Sequence, residues 1–250
     1  MNWLLDLGNS RLKVAGWRPG EGVGDVQAWT HGAADFAPSV QRWLATVRAG
    51  DTCWLASVAS SELTAAVAEA LASHGNPALR ARTQPECAGV RIAYAEPSRL
   101  GVDRFLGLLA AHARGDGPWL VVSAGSALTV DLLAASGQHL GGVIAPSPEH
   151  MRAALAARFP ALAFAGGEAS DFASDTADAL ASGSVGAALG LVERCHRQAI
   201  RRLGSAPRLL VSGGGGARLG AALELEYEAV PYLALEGLAV YAAHGGSRNP

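Results

Sequence analysis

The sequence predicts an α/β protein of two similar lobes, each built on a mixed sheet led by a β-hairpin. Three observations carry this. The chain opens with a strand, a turn and a returning strand: Trp3 to Asp6, then Leu7-Gly8-Asn9-Ser10, then Arg11 to Trp17. The same order restarts at Trp119 to Ser123, with Ala124-Gly125-Ser126 as its turn. Behind each hairpin, strand and helix patterns alternate. Superposing Gly8 on Gly125 sets Asp6 on Ser123 and Leu4-Leu5 on Val121-Val122, so the repeat is local as well as global.

The elements follow in order. Arg11 to Trp17 alternates apolar and polar residues, the signature of a half-buried strand. A third strand is expected near Val26 to Thr30, and a helix from Ala34 to Arg48 with Pro38 near its start. Cys53 to Ala59 is strand-like, and Ser60-Ser61-Glu62 caps a helix running to about Ser73. Ala78 to Arg82 reads as a strand. Arg99 to Arg114 carries apolar residues at Leu100, Phe105, Leu108 and Leu109, which places them on a helix. Gly115 to Pro118 suits a linker, giving lobes 1–115 and 116–250. In the second lobe, strands are expected at Trp119 to Ser123, Ala127 to Ala134 and Gln138 to Ala145. Helices are expected at Glu149 to Arg158 and Thr176 to Leu203. A strand at Arg208 to Ser212, a helix at Ala217 to Leu223, a strand at Glu226 to Ala229 and a helix at Leu233 to Ala243 close the chain.

Composition narrows the function. Half of the 250 residues are hydrophobic and the net charge is −2, with no long basic run to grip nucleic acid or an anionic membrane. Cys53, Cys87 and Cys195 form no CxxC pair, and the seven histidines fall in no metal-ligand spacing. The start, MNWLLDLGNS, lacks the basic and apolar regions of a signal peptide, and no apolar run approaches the ~18 residues of a membrane span. A cytoplasmic protein is expected.

Five segments have chemical potential. In Asp6-Leu7-Gly8-Asn9-Ser10, with Lys13 three residues on, a carboxylate at a strand end can hold Mg²⁺. The glycine lets backbone N–H groups approach phosphate, although the same residue types also make an ordinary hairpin turn. Gly101-Val102-Asp103-Arg104 opens a helix. Asp103 reads either as a carboxylate favoured by the helix macrodipole or as an acceptor of a hydroxyl proton. Arg104 reads either as a surface charge or as a two-pronged grip on a carboxylate. A helix N-terminus is expected to lower the pKa of Asp103, which is tolerable where positioning matters more than proton abstraction. Ser123 to Asp131 is the counterpart of the first turn. Gly141-Gly142-Val143-Ile144-Ala145-Pro146 is a glycine-led strand running into a turn. Ser212-Gly213-Gly214-Gly215-Gly216-Ala217 is either a flexible loop or a close approach for a flat ligand such as adenine. The chain has no GxxxxGK[ST] loop, which argues against a P-loop enzyme.

In order, DLGNSRLK, GVDR before a helix, SAGSALTVD and GGVIAPS resemble the type III pantothenate kinases over almost the whole chain. The resemblance implies the actin-like ATPase (ribonuclease H-like) fold, with phosphates held between two lobes. It implies phosphoryl transfer from Mg·ATP to pantothenate, the first step of coenzyme A synthesis. Asp6, Leu7, Gly8, Asn9, Ser10, Arg11, Leu12 and Lys13 would form the first phosphate segment, and Ser126 stands where the family usually has an ATP-contacting threonine. Tyr94, Gly101, Val102, Asp103, Arg104 and Thr176 would contact pantothenate, with Asp103 as proton acceptor. The family's members are homodimers. They usually carry an Asp, associated with a bound K⁺ or NH₄⁺, where this chain has Ser123. That departure puts the monovalent cation in doubt and leaves Asp6 as the principal acid for Mg²⁺. Two alternatives stay open: a non-catalytic regulator on the same fold, and an actin-like kinase for another small molecule.

Overall fold

The opening hairpin forms as its alternation requires. In the computed structural model, which describes residues 1–115, 117–162 and 166–245, β1 (Asn2–Leu7) pairs antiparallel with β2 (Arg11–Trp17). Residues at odd and even positions then point to opposite sides. Leu5, Leu7, Leu12 and Val14 enter one core cluster, while Asp6 and Lys13 face each other on the other side of the sheet. β3 (Gln27–Thr30) adds to the edge of β2. The chain continues through α1 (Phe36–Leu44), β4 (Thr52–Ser57), α2 (Ser61–Ser73) and β5 (Leu79–Arg80). The sheet order is β3-β2-β1-β4-β5, with β4 parallel to both β1 and β5. Pro38 sits in the first turn of α1, where the ring costs no intrahelical hydrogen bond. Ser60 caps α2 by accepting the Leu63 N–H at 3.3 Å.

A small hairpin, β6 (Glu86–Cys87) and β7 (Val90–Arg91), follows and was not expected. Ala88 and Gly89 turn it with φ of 48° and 81°. A positive φ at alanine is costly, and two-residue strands show no periodicity, so neither signal is readable in sequence. α3 (Val102–Ala113) is preceded by a 3₁₀ turn at Pro97–Arg99.

The second sheet repeats the first. β8 (Trp119–Ala124), β9 (Ala127–Leu133) and β10 (His139–Pro146) lead into α4 (Pro148–Arg158) and the long α5 (Thr176–Leu203). β11 (Arg208–Ser212), α6 (Gly216–Ala221) and β12 (Glu228–Ala229) follow. Its order, β10-β9-β8-β11-β12, matches the first sheet position for position, and both hairpin turns have a glycine N–H donating to the returning strand at 3.0 Å. The repeat inferred from Gly8 and Gly125 is therefore a repeat of topology. Leu120, Val122, Leu128, Val130 and Val211 form the core on the α5 side.

The chain divides into two compact units. The first holds Met1–Gly115, Gly137–His139 and the stretch beginning at Tyr232; the second holds the residues up to Ser136 and Leu140–Pro231. The closing helix α7 (Leu233–Ala243) thus belongs to the first unit, not to a lobe 116–250. The reason is packing: Tyr241 is fully buried, with its ring edge-on to Trp54 at 5.9 Å and to Phe105 at 6.2 Å. Of the expected linker, Asp116 lies outside the described residues. Among the described residues no helix is long and apolar enough to cross a membrane.

Candidate active site

In the first unit, strand register puts two charges together. Asp6, at the C-terminal end of β1, lies opposite Lys13 of β2, and Lys13 Nζ donates to Asp6 Oδ2 at 2.8 Å. Asp6 is 6% exposed. The turn beyond it presents Asn9, Ser10 and Arg11 to solvent, and the His31 N–H fastens it by donating to the Ser10 carbonyl at 3.1 Å. Leu7 and Leu12 are fully buried in the core, so of this segment they offer a ligand only backbone.

The start of α3 adds a second acid. Gly101 is its N-cap residue, and a Cβ there would meet Asp103 Oδ1 at 2.7 Å, so glycine lets the carboxylate fold back over the helix start. Oδ1 accepts the Arg104 N–H at 2.9 Å. Burial pushes the Asp103 carboxyl above its ordinary value of 3.8; the Arg104 N–H pulls it back, and the negative charge of Asp6 pushes it up again. This corrects the lowered value expected from the helix N-terminus. The dipole falls off within a turn and is worth a modest amount, whereas loss of water and a neighbouring carboxylate both oppose ionisation. Asp103 is also not the cap itself but lies inside the helix.

Arg104 is 8% exposed. Its Nη1 donates to the Tyr94 hydroxyl at 3.2 Å, and its guanidinium carbon lies 6.0 Å from the Tyr94 ring centre. The Tyr94 ring stacks on His139, 6.0 Å between centres and 19° between planes. Sequence reasoning missed His139, because 45 residues separate it from Tyr94 and only topology joins them. Val102 packs in the core at 9% exposure.

Ser123, Ser126 and Thr176 belong to the second unit. Ser126 sits in the β8–β9 turn. Thr176 is exposed at the start of α5, behind Asp175, whose carboxylate accepts the Ala177 and Asp178 N–H groups at 2.9 and 3.1 Å. Ser123 lies opposite Thr129 of β9 and Ser212 of β11. Asp131 pairs with Val121, so β9 returns it to the face that carries Ser123. Counting residues along the chain suggests the two are remote; register makes them diagonal neighbours, roughly 7–8 Å apart. Asp131 is 2% exposed and already has an interaction partner.

The glycine loop after β11 is explained by its own chain. Gly213 has φ of 90°, and a Cβ there would lie 2.5 Å from the Ala124 carbonyl oxygen. The Gly215 N–H donates to that oxygen at 2.9 Å. At Gly213 and Gly215 the close approach is therefore made by β8, and these positions need no flat ligand to account for them.

The sequence model of the family described as type III pantothenate kinase matches residues 3–198. A type III pantothenate kinase of Stenotrophomonas maltophilia (strain R551-3) is 52% identical over 244 residues, 97% of this chain and 98% of that protein. One from Xanthomonas campestris pv. campestris (strain B100) is 49% identical over 246 residues, 98% of each. Among solved structures, a Campylobacter jejuni protein assigned to the Baf family of transcriptional activators superposes with a TM-score of 0.60 at 20% identity, covering 96% of this chain and 97% of that one. A Sinorhizobium meliloti protein assigned as a 2-dehydro-3-deoxygalactonokinase gives 0.59 at 18% identity, covering 98% of each. Both likenesses are of fold.

Proposed function

The chain belongs to the type III pantothenate kinase family, and from that premise we propose how its residues divide the reaction. The activity is ATP-dependent phosphorylation of pantothenate in coenzyme A biosynthesis, on the actin-like ATPase fold shared with sugar kinases. The bond that forms joins the pantothenate primary hydroxyl oxygen to the γ-phosphorus. The bond that breaks joins that phosphorus to the β–γ bridging oxygen, and ADP leaves.

Asp103 accepts the hydroxyl proton. The observation that carries this reading is the position of its carboxylate: half-buried, at a helix start, folded back to accept the Arg104 N–H, and partly desolvated beside the charge of Asp6. A raised pKa makes it a better base than a carboxylate in water, and phosphoryl transfer asks mainly for alignment and charge stabilisation. Arg104 and Tyr94 bind pantothenate, the guanidinium pairing with its carboxylate. Gly101 and Val102 supply backbone at that contact, and Thr176 adds a hydroxyl from the exposed start of α5.

The segment Asp6 to Lys13, through Gly8 and Ser10, holds the ATP phosphates, and Ser126 contributes a hydroxyl. A Mg²⁺ ion held with ATP would supply charge neutralisation at the phosphates, and Asp6 is the residue that would hold it. A nearly buried carboxylate at a strand end fits such an ion, which takes one or two carboxylates and fills its shell with phosphate oxygens and water. Asp6 is that carboxylate. Ser123 offers a monovalent cation only a neutral hydroxyl, and Asp131 on the same face, 2% exposed, already has an interaction of its own. The enzyme acts in the cytoplasm as a homodimer. Support for the dimer comes from α4, which has no buried residue, and from Ile144, Leu155 and Phe159, which are 64%, 37% and 49% exposed.

The test is an acceptor panel. Purified protein with Mg·ATP is expected to phosphorylate pantothenate and to leave sugars and acetate unlabelled. Transfer to a sugar or acetate in place of pantothenate overturns the assignment of the acceptor.

A further inference from the structure

His139, the first residue of β10, has no part in the roles above, yet it is fully buried in the first unit although it comes from the second half of the chain. Its segment is stitched beside β7. The Gly137 carbonyl accepts the Arg91 N–H at 3.0 Å, Gln138 forms a parallel bridge with Arg91, and Gln138 Nε2 donates to the Arg91 carbonyl at 3.2 Å. β7 leads directly to Tyr94, and there His139 makes two contacts. Its ring stacks on Tyr94, 6.0 Å between centres and 19° between planes. Its Nδ1 accepts the N–H of Ala93 at 3.4 Å.

Tyr94 is only half-buried, so its ring needs a backing to hold one orientation. Arg104 meets it in turn, donating from Nη1 to the Tyr94 hydroxyl at 3.2 Å. A guanidinium binds a carboxylate two-pronged only when its plane is fixed. We propose that His139 is a positioning residue for pantothenate recognition: it holds the Tyr94 ring by stacking and the Tyr94 strand through Ala93, and Tyr94 sets the plane of the Arg104 guanidinium. This rests on the reading that Arg104 and Tyr94 bind pantothenate.

Steady-state kinetics of the full-length enzyme test it, with both substrates varied. His139→Asn keeps an acceptor near the Nδ1 position and loses the stacking ring; His139→Phe keeps a ring and loses the acceptor. The Asn variant is expected to raise KM for pantothenate about tenfold, and the Phe variant about threefold, with KM for ATP and kcat near wild type. If the Asn variant does not fold, the Phe variant alone carries the comparison. In a Tyr94→Leu background His139→Asn is expected to add nothing, because the contact it serves is gone. Equal rises in both KM values, an unchanged pantothenate KM, or a fully additive effect in the Tyr94→Leu background overturns the proposal. Arg104→Lys separates the two levels. If it raises the pantothenate KM while the His139 variants do not, the arginine's role stands and that of His139 falls. If Arg104→Lys leaves that KM unchanged, the reading of the arginine falls and this inference with it.

Discussion

Asp103 stands between opposed surroundings: burial and Asp6 favour its neutral form, while Arg104 favours its charged form. The balance raises its pKa, and the sign has two consequences. For catalysis, the base must be ionised, so the acid limb of kcat/KM is expected to lie above the ordinary aspartate value of 3.8. An acid limb at or below that value rejects Asp103 as the titrating base. For stability, the folded state binds the proton more tightly than the unfolded state. The penalty is therefore absent below the unfolded value, grows as pH rises to the folded value, and is fully present above it. Asp103→Asn should accordingly melt at or above the wild-type temperature at pH 7, with the difference vanishing in acid. Ser123 gives a second residue-scale prediction. A hydroxyl in place of a carboxylate weakens attraction for a monovalent cation, most of all where water is excluded. Turnover in a bulky organic-cation buffer is expected to change little when KCl replaces the matched organic-cation chloride. Saturable activation by K⁺ alone removes this reading of Ser123.

At the scale of elements, the glycine loop and the small hairpin mark where sequence was legible and where it was not. Strands with clean alternation, such as Arg11 to Trp17, and helices with a clear cap, such as the one beginning at Ser61, lie where their patterns put them. The β6–β7 hairpin left no pattern to read. The four glycines after β11 were visible, but the neighbour that crowds Gly213 and Gly215 was not, because the Ala124 carbonyl reaches them only once β8 and β11 are paired. Gly213→Ala would force a positive φ on alanine and drive its Cβ into a backbone carbonyl. A loss of about 2 kcal/mol or more is expected, read as a lowered melting temperature and denaturation midpoint. An unchanged midpoint denies the close approach. The segment Asp6 to Lys13 and the acid at the start of α3 were visible as motifs, whereas the direction of the Asp103 shift depends on desolvation that no linear motif encodes.

At the scale of the molecule, the duplicated sheet order could be anticipated from the restart at Trp119, but the membership of the units could not. α7 packs through Tyr241 on Trp54 and Phe105, and His139 joins Tyr94; both contacts bridge long stretches of chain that periodicity does not connect. The exposed apolar residues of β10 and α4 support self-association. Light scattering is expected to give twice the chain mass, and Leu155→Glu with Phe159→Glu to shift it to one chain; a wild-type monomer across the working concentration range denies the dimer. The central claim is that phosphate passes from ATP to pantothenate at the site containing Asp103. It is tested most directly by comparing transfer of labelled γ-phosphate to pantothenate by the wild-type and Asp103→Asn enzymes, after their melting curves show both folded. The account predicts that turnover falls by about 10²-fold or more in the variant. Wild-type turnover in the folded variant would contradict it.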